Sequence, residues 1–315
     1  MSNFVRGFLF AALSGCAIVG AAQQPPAAPL NTHQLAANVY WVDGGVSNSG
    51  IIVGDKSVIV VDTKMTQENG KQLLDEVAKI TPKPVTTVIL THRDMDHVGG
   101  LPAFPKGIEI IAHEVAPSKP PANQGQGPAG PGGPGGPGGP GGPGGPGNAP
   151  RPPAVQPTRI ITTNKEVLDI DGVKIELLHW APAHTSGDTI VYLPAQKIVF
   201  AGDILALDQP TPLIHEDQNG SAAGWLETTK GMLTLDADRY VPGHGVIQSK
   251  QDVQSWLNKA GDEYSKIKAM VAQGKSLAEI EAAVGDPPPS TQPARQGGPR
   301  FSPFSQVVYN ELTRK

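Results

Sequence analysis

The stretch that most constrains this chain is PVTTVILT at residues 84–91, followed at once by the charged loop HRDMDHVGG. A strand without polar alternation is of the kind buried on both faces, so it calls for packed layers above and below it. At its carboxyl end His92, Asp94, Asp96 and His97 fall within six residues. Ionisable groups gathered at the end of a buried strand are costly to desolvate unless something compensates them. A divalent cation does so, because imidazole and carboxylate are ligands of first-row metals.

The same pattern recurs along the chain. VYWVDGG (39–45), GIIVGD (50–55) and SVIVVDT (57–63) read as consecutive strands joined by tight turns. Thr66 is placed to cap a helix running through Lys79, with Leu73, Leu74, Val77 and Ile80 on one face. Further strands are expected at 107–113, 166–170, 173–180, 189–194, 197–203 and 239–245, and helices at 222–233, 249–273 and 276–284. This order predicts two sheets packed face to face with helices outside. Polar residues again stand near strand ends: His184 in APAHTSGD, Asp203 in VFAGD and His244 in VPGHG.

Four separated motifs in this order, THRDMDH, PAHTSGD, FAGD and PGHG, resemble the metallo-β-lactamase superfamily from Val39 to Gly245 and onward through the helix at 249–273. The resemblance implies an α+β fold, a four-layer αβ/βα sandwich occupying residues 38–286, with a metal site at one edge of the two sheets. It implies two divalent ions, zinc being expected and manganese or iron the alternatives. His92 and His184 would bind the first ion, Asp96, His97 and His244 the second, and Asp203 both. Asp96 would also be catalytic, orienting a metal-bound hydroxide. Asp94 departs from the pattern: the family's usual second histidine is replaced, giving H-x-D-x-D-H, similar to the variant in the metallo-β-lactamase-like domain of DNA-uptake channel proteins. Read as a ligand, Asp94 adds one negative charge and a hard oxygen donor to the first site, which shifts preference from zinc toward manganese or iron.

Other polar residues carry lesser expectations. Asp62, ending VIVVD, is either an outer group that holds the motif loop or a turn cap. His215, in TPLIHEDQNGS, falls in a segment that borders the pocket in this superfamily and is a candidate substrate contact. His33 reads as solvated, His113 and His179 as structural or surface residues, and Trp41, Trp180 and Trp225 as core or pocket wall.

Function follows as an expectation: an exported metal-dependent hydrolase acting on an ester, thioester, lactone or amide-type bond, or a phosphoester, of a small-molecule substrate. A β-lactamase proper is an alternative, disfavoured by Asp203 where two of the subclasses carry cysteine. A glyoxalase II-like thioesterase would need a C-terminal glutathione-binding segment that is not recognisable here. A mononuclear iron enzyme of persulfide dioxygenase type and a non-catalytic metal-binding envelope protein complete the alternatives. The formal net charge of −4 gives no electrostatic case for nucleic acid.

Composition matters at two places. The chain has 38 Gly and 32 Pro, and the excess is local to PGG repeats within 120–157, a low-complexity insertion between two strands that is expected to be disordered. Residues 1–22 read as an export leader, with Arg6, an apolar run Gly7–Val19 and small residues Gly20-Ala21-Ala22. Two processing routes stay open: cleavage after Ala22, or a lipobox at Leu13-Ser14-Gly15-Cys16, in which a lipid on Cys16 would be the sole membrane contact. Either sends the domain to a periplasm or cell envelope. A single cysteine excludes an internal disulfide. Residues 23–37 read as a linker, as do 287–300 before a last short helix built on Phe304, Val307, Val308 and Leu312.

Overall fold

The computed structural model describes residues 29–114, 156–206, 209–285 and 301–314. The leader with Cys16, nearly all of the Pro/Gly insertion and the 287–300 linker lie outside the described residues.

One sheet follows chain order: β1 (Asn31–Ala36), β2 (Val39–Asp43), β3 (Ser49–Val53), β4 (Val58–Val61), β5 (Val85–Ile89), β6 (Glu109–His113) and β7 (Arg159–Ile161). The first four strands are antiparallel neighbours and β4 to β7 are parallel ones. Between β4 and β5 runs α1 (Gln67–Ile80), whose N-cap Thr66 accepts the amide of Asn69. A single turn, α2 (Met95–Val98), follows β5. The second sheet contains β8 (Lys165–Ile170), β9 (Val173–Leu178), β10 (Ile190–Leu193), β11 (Ile198–Ala206) and β12 (Arg239–His244), in spatial order β12-β11-β10-β9-β8. Helices α3 (Ala222–Leu233), α4 (Lys250–Ala272), α5 (Leu277–Val284) and α6 (Phe304–Thr313) complete the chain.

Strand periodicity explains the layers. Ile59 and Val61 of β4 join Ile198 and Phe200 of β11 between the sheets, while Val58 and Val60 pack outward with Leu73 and Val77 of α1. Likewise Val191 and Leu193 face inward, whereas Ile190 and Tyr192 join Trp225 of α3, Trp256 and Leu257 of α4 and Val307 of α6. Both faces of the sheets are covered at their centres, so central strands such as β4 (VIVV) and β10 (IVYL) are apolar throughout. The result is the expected four-layer αβ/βα sandwich. Trp41 and Trp225 are buried in these cores and Trp180 packs against one of them.

Two segments differ from the sequence reading. Residues 31–36, read as linker, form edge strand β1, whose NTHQLA sequence has no β-branched run to announce it. His33 is therefore not simply solvated: it stacks on Trp41 at 4.6 Å and bonds Asp43 at 3.0 Å. The C-terminal helix, assigned outside the domain, buries Phe304, Val307 and Val308 in the core that covers the second sheet.

Candidate metal centre

The site forms where β4, β5, β11 and β12 approach one another at one edge of the sandwich. Asp62 follows β4 in a left-handed conformation, φ 57°. Its buried carboxylate accepts the Thr91 amide (2.8 Å), the Thr91 hydroxyl (2.7 Å) and His97 Nδ1–H (2.8 Å). One carboxylate thereby fixes both ends of the HRDMDH loop, so Asp62 takes the outer role rather than that of a simple cap. Within the loop α2 reverses the chain: the Asp94 carbonyl accepts the amides of His97 and Val98. Two glycines permit close approaches here, Gly202 of the second sheet to Thr91 beyond β5 and Gly243 of β12 to Asp203 of β11. Gly202 has φ +53°, and a Cβ there would lie 2.5 Å from Thr91 Oγ1; a Cβ on Gly243 would collide with the Asp203 carboxylate.

The side chains form overlapping clusters. In one, His97 Nε2 lies 3.1 Å from Asp203 Oδ1 and 3.5 Å from Asp96 Oδ2, and His244 Nε2 lies 3.0 Å from Asp96 Oδ2 and 3.3 Å from Asp203 Oδ2. In the second, Asp203 Oδ2 is 3.9 Å from His92 Nε2 and 3.7 Å from His184 Nε2. Asp203 thus belongs to both. A third joins Asp94, His184 and His215. Every one of these imidazoles turns Nδ1 outward to a fixed partner: Thr91 Oγ1 for His92, Asp62 for His97, the Leu213 carbonyl for His184, Asp217 for His215 and the Val46 carbonyl for His244. With Nδ1 so engaged, each Nε2 faces the centre, the arrangement by which outer partners orient ligating histidines.

The donor set fits divalent metal. His92 Nε2, His97 Nε2, His215 Nε2 and Asp203 Oδ1 are buried without a hydrogen bond. Buried polar atoms left unpaired cost roughly 1–3 kcal/mol each, so their convergence calls for a charge that satisfies them together. Their mutual electrostatics are strong. Burial opposes charge on His184, but the Asp94 contact and the Asp203 and Asp188 charges carry it up to about 9. Burial likewise opposes charge on His244, yet Asp203 and Asp96 raise it to about 10. His97, fully buried, is held well above its usual value by Asp203 and Asp62. In return, and against the opposing effect of burial, neighbouring imidazoles keep Asp94, Asp96 and Asp203 well below the ordinary carboxylate range.

Sequence reasoning missed the scaffold beneath the β2–β3 loop. Lys64, fully buried with φ 73°, donates to the carbonyls of Val42 (2.8 Å), Gly44 (3.1 Å) and Ser47 (2.6 Å). Burial lowers this ammonium to about 7, with Asp43 and Asp62 pulling the other way. The loop it anchors reaches two of the four motifs, those holding Asp96 and His244. Ser47 Oγ donates to the Asp96 carbonyl, the Val46 carbonyl accepts from His244, and the Asn48 amide bonds the carbonyls of Pro242 and Gly245. No signal in the sequence marked this role, because a lysine just after a strand is ordinarily solvated. Phe301, against His215 at 4.5 Å, had none.

All seven residues expected as ligands, His92, Asp94, Asp96, His97, His184, Asp203 and His244, come together, and His215 joins them. His113 and His179 stack on each other at 4.2 Å and take no part in the clusters.

Comparison with known proteins agrees with this architecture. The family model of the metallo-beta-lactamase superfamily matches residues 42–244. The 2,4-dinitroanisole O-demethylase subunit alpha of Nocardioides sp. (strain JS1661) is 29% identical over 230 residues, covering 72% of this chain and 61% of that protein. The linear primary-alkylsulfatase of Pseudomonas sp. (strain ATCC 19151) is 24% identical over 240 residues, covering 69% and 45%. The chain thus spans about half to three fifths of these two relatives. Among solved structures, a metallo-beta-lactamase from Pontibacter korlensis superposes with a TM-score of 0.56 at 19% identity, covering 74% of this chain and 99% of that one. The fold is shared with it, and the relatives are enzymes. With the family model matching well over half of its length, the chain belongs to the metallo-beta-lactamase superfamily.

Proposed function

We propose that the chain is an exported metal-dependent hydrolase that opens an ester, thioester, lactone or amide-type bond in a small molecule carrying an apolar group. His92, Asp94 and His184 would hold one divalent ion, Asp96, His97 and His244 a second, and Asp203 both. The observation that carries this reading is the convergence of unpaired, buried Nε2 and carboxylate atoms from three separate segments on one centre, where His184 and His244 join them from two more. Such ions, zinc foremost, supply Lewis-acid polarisation and acidify water. The chain contributes orientation. Asp96, partly open to solvent and fixed by His244, is placed to accept a hydrogen bond from the attacking water. The Nδ1 partners fix each ring with its Nε2 pointed inward.

The apolar preference rests on the rim. Val46, Met95 and Val246 are exposed large hydrophobic residues. Val46 presents its carbonyl to His244, Met95 separates Asp94 from Asp96, and Val246 lies two residues past His244. Apolar side chains bordering convergent polar groups are the usual make-up of a small-molecule site. The relatives named for a nitroaromatic ether and for linear alkyl sulfates favour the same preference. Export is supported by Arg6 and the apolar run that follows it.

The test is elemental analysis of purified protein alongside turnover of short- and long-chain aryl esters, a lactone, nitrocefin, an alkyl sulfate and 2,4-dinitroanisole. Two metals per chain with ester or lactone turnover supports the reading. One iron with oxygen consumption overturns it in favour of redox chemistry.

A further inference from the structure

The replacement of histidine by Asp94 removes one imidazole from the first metal site, and the structure offers another in its place. Asp94 Oδ2 lies 3.6 Å from His92 Nε2, 3.2 Å from His184 Nε2 and 2.9 Å from His215 Nε2, while its other oxygen accepts the Gln218 amide at 2.6 Å. His215 comes from the segment between β11 and α3, far in sequence from the motif.

Three features set His215 apart from a wall residue. First, its side chain is 6% exposed, and its Nε2 has no hydrogen bond although it points into the cluster. Second, Nδ1 is engaged by Asp217 Oδ1 at 3.1 Å, so Nε2 is the ring nitrogen turned toward Asp94. Nε2 and Asp94 Oδ2 are 2.9 Å apart, Nε2 forms no hydrogen bond, and both converge with His184 Nε2 within 4.8 Å. Ligands about 2.0–2.2 Å from one ion sit roughly 2.9–3.5 Å from each other, which is the separation seen here. Third, the backbone is fixed for this purpose. The His215 amide donates to the His184 carbonyl (2.8 Å), and the His215 carbonyl accepts from Gln218 and Gly220. His184 and His215 therefore move as one piece, their rings edge to face at 5.0 Å, with Phe301 covering both.

We propose that His215 Nε2 is a ligand of the first-site ion. The site then keeps three imidazoles, His92, His184 and His215, beside Asp94, and the nitrogen donor lost at position 94 is returned from the loop after β11. This rests on the two-metal reading above.

The test uses the full chain, stripped with chelator and titrated with Co(II), with metal content and visible absorption as readouts. Wild type should bind two ions. His215→Ala should keep the second site and weaken the first by more than the 10–100-fold that loss of an outer partner costs. Free imidazole should restore the first-site absorption. Because the alanine variant is open to misfolding, wild-type Co(II) protein supplies an independent count. Solvent-exchangeable, metal-shifted imidazole N–H signals should number five, from His92, His97, His184, His215 and His244. Four such signals, or a His215→Ala protein with two unchanged sites, would overturn the assignment while leaving the two-metal reading intact. A wild type that binds fewer than two ions would instead bring down that underlying reading.

Discussion

Asp62→Asn isolates the role of a single buried carboxylate. Asparagine occupies the left-handed region as readily as aspartate, so φ 57° adds no strain and the change is electronic. The amide oxygen can retain the Thr91 N–H, and the Thr91 hydroxyl can turn to accept. The His97 contact cannot survive in its present form, because an amide N–H₂ would face Nδ1–H at 2.8 Å. His97 must either lose that bond or move its proton to Nε2, where it blocks coordination. A hydrogen bond to a charged acceptor contributes about 1.5–3 kcal/mol. That range corresponds to roughly 10–150-fold in an equilibrium constant, in line with the 10–100-fold expected for loss of an outer partner. Chelator-competed zinc titration should show a loss of that size at the site of His97, with a smaller change at the site of His92, which Asp62 reaches only through Thr91. Second-site affinity within twofold of wild type would refute the reasoning.

Chelated protein should lose thermal stability as pH rises from about 6.5 toward 10. His97, His184 and His244 have raised values, so their contribution is complete below the unfolded histidine value and fades as pH passes about 9 and 10. Lys64, lowered to about 7, works in the opposite sense, and the three imidazoles outweigh it; a melting temperature that climbs over this window contradicts the assignment. Deleting residues 125–150 should leave the melting temperature and metal content unchanged. Strands β6 and β7 pair directly, Ile111 with Arg159, and the remaining residues suffice to connect them; a fall of several degrees would count against this. Met95→Asp should raise KM for long-chain esters about tenfold with little effect on acetate esters, and equal changes for both would remove the rim from substrate recognition.

The parts legible from sequence were those in which residue type conflicts with its surroundings. Unbroken apolar strands announced two covered sheet faces, and imidazoles and carboxylates at their ends could not be ordinary strand residues. Asp94 was visible for the same reason, as a carboxylate where the pattern expects imidazole. What stayed hidden depends on partners distant in the chain. Nothing in VVDTKM reveals that Lys64 turns inward beneath residues 42–47, since lysine next to a turn is ordinarily solvated. Strand β1 is polar because only its pairing with β2 orders it. His215 read as pocket lining because its segment carries no metal motif; its Nε2 gains meaning only beside Asp94, 121 residues earlier. The two positions explain each other. A carboxylate at 94 frees space and adds charge, and an imidazole brought in beside His184 uses both, so the departure in the motif and the extra histidine form one coupled change. Asp94→His alone should therefore not improve the site: the larger ring would meet His215 rather than replace it, and only the double change Asp94→His with His215→Ala should recover wild-type first-site affinity for zinc. Equal or tighter zinc binding by the single Asp94→His variant would show that the two positions are independent.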